Sequence, residues 1–194
     1  MTKVFLQPGL RGLSGGMGDW VYQRRKGKTY VGMKPTPTTK EPTEAQTIQR
    51  ERFGEAALYA KMTLDDPARR EFYEMVAEEM DLPVSAAVVK DFLCTPSFKA
   101  LDLSGYRGQI GDPIQIRALH EIGLASVNVE LLGSDETVLE QGRAFERSAR
   151  TGYWIYMGQS AQPLGSQLTI RVAGLDHTGK QAEITETVVV GEQA

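Results

Sequence analysis

Three prolines within eight residues, Pro35, Pro37 and Pro42, most strongly constrain how this chain can fold. Proline has no backbone N–H and holds φ near −65°, so a segment this rich in proline cannot be a regular helix and favours an extended conformation. We therefore interpret residues 35–42 as a linker and expect separate structures before and after it. The chain has 194 residues, enough for one large domain or two small ones.

The segment before this linker, residues 1–34, is basic and rich in glycine. Up to Lys40 the chain holds eight Lys and Arg against one acidic residue, a net charge of +7, whereas the remainder carries −10. Two β-prone runs, residues 19–24 and 29–33, flank a glycine-containing turn and predict a β-hairpin. Because an isolated hairpin is marginally stable in water, we expect it to pack on the body of the chain or on another subunit.

Residues 43–97 have the pattern of three short helices. Thr43 and Gln46 form a capping-box sequence, and Asp66 followed by Pro67 marks a second helix start. A third helix follows Pro83 and stops before Pro96. The expected apolar faces of the first two helices comprise Ile48, Phe53, Ala56, Ala57 and Ala60, and Phe72, Met75, Val76 and Met80, respectively.

Residues 98–194 alternate between apolar and polar side chains, as half-buried strands do. The alternation is clearest in residues 114–118, 127–131 and 168–172, and turn sequences with Gly, Asp or Ser recur between the runs. Trp154 and Tyr156 alternate on a further strand and are expected to face the core. Six or seven short antiparallel strands in this length predict a β-sandwich, so the expected fold class is α+β.

The C-terminal segments resemble a bacterial immunoglobulin-like domain. The residues that carry the resemblance are 111–118, 127–129, 139–142, 152–156 and 173–180. The resemblance implies an immunoglobulin-like antiparallel sandwich that binds proteins, spaces other modules or builds a surface.

The front half resembles uncharacterised bacterial proteins, some of them phage-related. Four stretches carry this second resemblance: Gly15–Tyr22, Gly27–Val31, Lys34–Pro35 and Thr43–Phe53. The resemblance implies a chain with a basic, glycine-rich N-terminal hairpin, a helical segment and a C-terminal immunoglobulin-like domain. It implies no activity for any particular residue.

The best candidate binding surface is the hairpin itself. Its cations could attract phosphates or acidic protein surfaces, and its aromatic rings could stack on bases or anchor a protein contact. Three interpretations remain open: docking on the acidic face of a neighbouring copy or of another protein, a solvated tip without a partner, and binding to nucleic acid. The interaction residues predicted here are Trp20, Tyr22, Arg24, Arg25, Lys26, Lys28 and Tyr30.

No catalytic, cofactor or metal site is predicted. The run Gly27-Lys28-Thr29 lacks the earlier glycine of a phosphate-binding loop, because Tyr22 occupies that position. The pairs His120–Glu121 and Asp176–His177 show no third metal ligand nearby in sequence. Cys94 is the one cysteine and is interpreted as a small buried hydrophobe.

The sequence therefore predicts a non-enzymatic structural or adaptor subunit that docks through its basic N-terminal arm, within a homo-oligomeric or phage-like assembly. A nucleic-acid-binding accessory protein is the first alternative, and an enzyme with a cleft invisible in the sequence is the second. We expect neither a small-molecule substrate nor a membrane partner. Without a signal-peptide pattern or a long apolar run, the chain is expected to be cytoplasmic as synthesised, or released as part of a particle.

Overall fold

The computed structural model describes residues 2–3, 14–25, 27–36 and 40–191. The glycine-rich residues 4–13, Lys26 of the predicted interaction set and residues 37–39 of the predicted linker lie outside the described residues. The chain divides into two compact units, residues 1–46 and 47–194. The described residues form three helices and three antiparallel sheets, an α+β fold.

The N-terminal unit contains a four-stranded sheet with the strand order β1-β4-β3-β2. The predicted hairpin is confirmed as β3 and β4, which pair from Trp20 opposite Met33 to Arg25 opposite Lys28. The described strands are β1 (Thr2–Lys3), β2 (Gly15–Met17), β3 (Trp20–Arg25) and β4 (Lys28–Met33).

Three helices follow: α1 (Glu44–Thr63), α2 (Pro67–Glu79) and α3 (Val84–Leu93). The capping box is confirmed, because the Thr43 N–H donates to Gln46 Oε1 at 3.1 Å and the Gln46 N–H donates to Thr43 Oγ1 at 3.3 Å. The Asp66 carboxylate accepts from the Ala68 and Arg69 N–H groups and so caps α2, with proline in the first turn. Both helix starts therefore follow from side-chain chemistry that is local in the sequence.

The apolar faces of the helices agree in part with those predicted: Ala56, Ala60 and Val76 are buried, and Phe72 and Met80 pack against the core of the helices. In α2 the buried residues are Tyr73, Val76 and Ala77, whereas Met75 is 58% exposed. The i, i+3, i+4 spacing of these three residues places them on one side of the helix. Tyr73 and Ala77 were not among the residues predicted for this face. In α1 only Ala56, Ala60 and Thr63 are buried, and the predicted core residues Ile48 and Phe53 are exposed.

The remaining strands form a sandwich of two four-stranded sheets. Their orders are β5-β6-β10-β9 and β12-β11-β7-β8, and all pairings are antiparallel. Alternate residues point into one shared core, which includes the predicted Trp154 and Tyr156. The strands are β5 (Ser97–Asp102), β6 (Pro113–Leu119), β7 (Ser126–Leu132), β8 (Val138–Arg143), β9 (Phe145–Glu146), β10 (Tyr153–Met157), β11 (Gln167–Leu175) and β12 (Gln181–Val189).

Loops of the sandwich pack against α2 and α3. Ile122, in the loop between β6 and β7, is fully buried within the apolar core of the helices. Ion pairs join Arg150 to Glu79 and Lys90 to Glu121. Among the described helices, none combines the length and the apolar character that crossing a membrane requires.

Candidate functional site

An exposed apolar row crosses one end of the N-terminal sheet. Trp20 on β3 lies opposite Met17 on β2 and opposite Met33 on β4, so the three side chains share one face. Met17 is 60% exposed, Trp20 48% and Met33 74%. In the described part of this sheet, Thr29 is the one buried side chain. The sheet thus presents large apolar groups to its surroundings.

A tight turn fixes this row. Gly18 and Asp19 connect β2 to β3, and Gly18 has a φ of +58°, a left-handed conformation that glycine adopts at little cost. The turn places Met17 directly opposite Trp20. The strand at Gly15–Met17 was not predicted, although the Gly18-Asp19 pair between Met17 and Trp20 is a recognisable turn signal.

The register divides the predicted interaction residues between two faces. Trp20, Tyr22 and Arg24 alternate along β3 and share one face, whereas Lys28 and Tyr30 occupy positions of β4 that belong to the other. Arg25 lies opposite Lys28 in the register, and Lys26 is outside the described residues. The seven residues therefore do not form one continuous basic and aromatic patch.

An apolar groove lies between α1 and α3. Its volume is about 670 Å³, within the range of protein binding pockets. This groove was not predicted from the sequence, because the relative position of two helices depends on tertiary packing. The lining residues are Phe53, Ala57, Ala60, Lys61 and Leu64 on one side, and Pro83, Ser85, Ala86, Val89, Lys90 and Leu93 on the other.

A buried polar cluster joins the helices to the sandwich. His120 Nε2 lies 3.6 Å from Asp91 Oδ1 and 3.7 Å from Asp176 Oδ2, and these three side chains are at most 1% exposed. The facing atoms of all three have no hydrogen-bond partner. The sequence pairs His120–Glu121 and Asp176–His177 thus contribute one residue each, and the third member, Asp91, comes from α3.

Hydrogen bonds hold the two carboxylates of this cluster in place. The Tyr73 hydroxyl donates to Asp91 Oδ2 at 2.5 Å. Asp176 Oδ1 accepts from the N–H and hydroxyl of Thr178 and from the N–H of Lys180, each at 2.8 Å. The Lys180 ammonium donates to the carbonyl oxygens of Phe92 and Cys94, which ties the sandwich to the end of α3.

Burial controls the pKa values in this cluster. Loss of solvation, with a contribution from the Asp176 charge, raises the pKa of Asp91 to about 6, although the Tyr73 hydrogen bond opposes the shift. Burial lowers the pKa values of His120 and His177. It also raises the pKa of Tyr73, and the hydrogen bond to Asp91 acts in the same direction. These shifts are typical of functional sites, but the cluster is closed to solvent and is interpreted as structural.

Glu140 forms a second buried polar site, within the sandwich. Glu140 is 7% exposed. Its carboxylate accepts hydrogen bonds from the Tyr156 hydroxyl, from the N–H groups of Gln159 and Ser160, and from the Ser160 hydroxyl. Burial acts to raise the pKa of Glu140, but these hydrogen bonds outweigh it and the pKa is lowered. Every donor comes from β10 or the residues just after it, so the site ties that segment to β8.

Two other predicted features have definite positions. Cys94 is half-buried at the end of α3, and burial raises the pKa of its thiol, which disfavours the reactive thiolate. His177 packs its ring on Phe72 with the centroids 4.2 Å apart.

Within the described ranges, no three His, Cys, Asp or Glu side chains are arranged to hold a metal ion.

Comparisons with known proteins add little to this geometry. No protein-family model matches the chain, and no curated protein matches it. Among solved structures, the crystal structure of CopC from Methylosinus trichosporium OB3b aligns with 48% of this chain and 91% of its own length. The TM-score is 0.38 and the sequence identity is 11%.

Proposed function

We propose that this protein is a non-enzymatic structural or adaptor subunit that docks through its basic N-terminal arm, within an assembly of copies of the same chain. The observation that carries the proposal is the exposed row of Met17, Trp20 and Met33. Contiguous exposed apolar groups are typical of protein contact sites, and tryptophan and methionine are enriched at the centres of interfaces. Covering this row would stabilise a small sheet that buries little by itself.

Charge supports another copy as the partner. The arm up to residue 40 carries +7 and the rest of the chain carries −10, so opposite charges meet when the arm of one copy approaches the body of the next. Such complementarity increases the rate of encounter and selects the partner. The split of the cations between two faces favours this interpretation over nucleic acid, which would require a continuous basic path.

In this proposal the sandwich acts as a spacer between other modules or presents a surface to a partner. We infer that it belongs to the immunoglobulin-like type, because two antiparallel four-stranded sheets enclose one core, as in that architecture. In this role the helices are held against the sandwich by the Lys180 ammonium, which donates to the Phe92 and Cys94 carbonyl oxygens, and by the ion pairs Arg150–Glu79 and Lys90–Glu121.

Matched serine substitutions test the docking role. Trp20→Ser and Met33→Ser remove apolar groups from the row, whereas Phe145→Ser and Leu164→Ser remove side chains that are 72% and 77% exposed on the sandwich unit. We expect light scattering to show a smaller particle for the first pair and an unchanged particle for the second. Equal effects of both pairs would contradict the proposal. A monomeric native chain that binds DNA or RNA, with affinity falling steeply with salt, would favour the nucleic-acid alternative instead.

A further inference from the structure

Helix α1 buries few of its side chains for a helix of its length. It has 20 residues, yet Ala56, Ala60 and Thr63 are the ones it buries. Helices in proteins obtain most of their stability by packing an apolar face, and large exposed apolar side chains mark a surface that another molecule covers. Two different faces of α1 remain exposed, and they have complementary properties.

The first of these faces is apolar and acidic. Ile48, Glu51, Glu55, Leu58 and Met62 follow the i, i+3, i+7 spacing of a single stripe, so they lie on one side of the helix. All five are exposed, and the three apolar members are 50%, 61% and 66% exposed. This stripe contains no basic residue. We call it the acidic stripe of α1.

The second face forms one wall of the groove between α1 and α3. Phe53, Ala57 and Leu64 contribute to its apolar lining, and its two charged lining residues, Lys61 and Lys90, are both basic. Lys61 is exposed, while Lys90 is paired with Glu121. The groove is therefore apolar with basic edges, the counterpart of an acidic and apolar helix face.

We propose that the acidic stripe of α1 from one copy binds in the α1–α3 groove of a second copy. An amphipathic helix in an apolar groove is a common mode of recognition. Leu58 and Met62, one turn apart, would enter the apolar part of the groove, while Glu55 would face Lys61 of the other copy. The two faces differ, so the contact is head-to-tail and repeats from copy to copy, building a ring or a filament.

This contact is independent of the N-terminal arm, since all of its residues belong to the unit formed by residues 47–194. It therefore goes beyond the proposed docking role. Each of the two contacts can fail without the other, which makes their tests separable.

Photo-crosslinking between isotopically distinct copies tests the contact. A photoreactive phenylalanine analogue at position 58 is incorporated into a heavy-isotope chain, which is mixed with light chains before irradiation. We expect heavy–light crosslinks from position 58 to the groove residues of α1 and α3. The same analogue at position 75, a site on α2 that is 58% exposed, is the control and should not reach the groove. Crosslinks from position 58 that stay within one chain, or that reach other surfaces, would overturn the proposal.

A charge exchange provides the second arm of the test. Lys61→Glu should lower the crosslink yield about fivefold, the effect of losing one partly exposed charge pair of about 1 kcal/mol. Adding Glu55→Lys should restore the yield, and Lys99→Glu, an exposed change on β5, should leave it unaltered. Equal losses for Lys61→Glu and Lys99→Glu would also overturn the proposal. Circular dichroism of each variant verifies that the chain remains folded.

The two proposals are distinguished by combining these variants with changes in the arm. If Trp20→Ser reduces the particle but position 58 never crosslinks to the groove, the arm is the contact and this inference is wrong. If the groove crosslinks persist and the arm changes have no effect on the molar mass, the inference stands and the proposed role of the arm is wrong.

Discussion

The N-terminal sheet and the sheets of the sandwich are built from the same kind of strand but use their side chains differently. In the sandwich, Ile114, Ile116, Ile170 and Val172 alternate into a core where each is at most 1% exposed. In the N-terminal sheet, Trp20 and its cross-strand neighbours are about half exposed or more. Apolar residues in the first region stabilise the fold, and those in the second are available for a partner.

The largest expected difference between the two regions is the effect of removing one apolar side chain. Ile170→Ala empties a fully buried site and should lower the free energy of unfolding by about 3 kcal/mol, the typical cost of such a cavity. Trp20→Ser should change it by less than about 0.5 kcal/mol, as at other surface sites. Urea unfolding followed by far-UV circular dichroism measures both. A Trp20 effect as large as that of Ile170 would remove the distinction between the regions.

Charged residues should also differ in their effect on stability between the sandwich and the N-terminal sheet. Glu140→Gln replaces a carboxylate that receives four hydrogen bonds and should cost about 2–3 kcal/mol, whereas Lys28→Gln at the exposed hairpin turn should cost almost nothing.

The pH dependence of stability follows from the lowered pKa of Glu140. When folding lowers the pKa of a carboxyl group, the group stabilises the fold at pH values above its pKa in the unfolded chain, here near 4.5. This contribution is lost as the pH falls through the lower pKa that the group has in the folded chain. The free energy of unfolding of the native chain, measured with urea, should therefore decrease below about pH 4.5. Glu140→Gln should make this free energy less dependent on pH. An identical pH profile for the variant would contradict the assignment.

Alanine substitutions at two glycines distinguish the stability cost of a steric clash from that of backbone strain. Gly152 and Gly18 both have positive φ, +71° and +58°, but a Cβ at Gly152 would lie 2.4 Å from the Ala118 carbonyl oxygen, while Gly18 has open space. Both changes to alanine incur the cost of about 1 kcal/mol for a left-handed residue, and Gly152→Ala adds a clash, for a total of about 2 kcal/mol or more. Thermal unfolding compares them; equal shifts would show that the backbone at Gly152 relaxes freely.

The smallest of these effects concerns the contact between α2 and α3. Tyr73→Phe removes the hydroxyl that donates to Asp91 and should cost about 1–2 kcal/mol. It should also raise the pKa of Asp91 further above about 6, since that hydrogen bond lowers it. Carboxyl NMR titration measures the shift, with Tyr59→Phe as the control. An unchanged Asp91 pKa would mean that the two groups are not hydrogen-bonded in solution.

The sequence predicted those parts of the fold whose signals are local. The strict alternation in residues 114–118 and 168–172 predicts the strands that are present there, and the capping box at Thr43 and Gln46 predicts the start of α1. Strand β5 was not predicted, because a register shift between Phe98 and Ala100 interrupts its alternation.

The sites were less predictable because they depend on tertiary contacts. Asp91, His120 and Asp176 lie far apart in sequence, so their convergence appears only in the folded chain. The groove between α1 and α3 has the same origin. The division of the interaction residues between two faces could have been predicted from the sequence, because pairing Trp20 with Met33 determines which residues share a face.

The molar mass of the full-length chain, compared with that of a chain lacking residues 1–40, shows whether the N-terminal arm holds copies of the chain together. Light scattering at low and high salt measures both, and circular dichroism verifies that each chain is folded. We expect the full-length chain to form a larger species and removal of the arm to reduce this species to smaller particles. The same molar mass for both chains at every salt concentration would contradict this expectation.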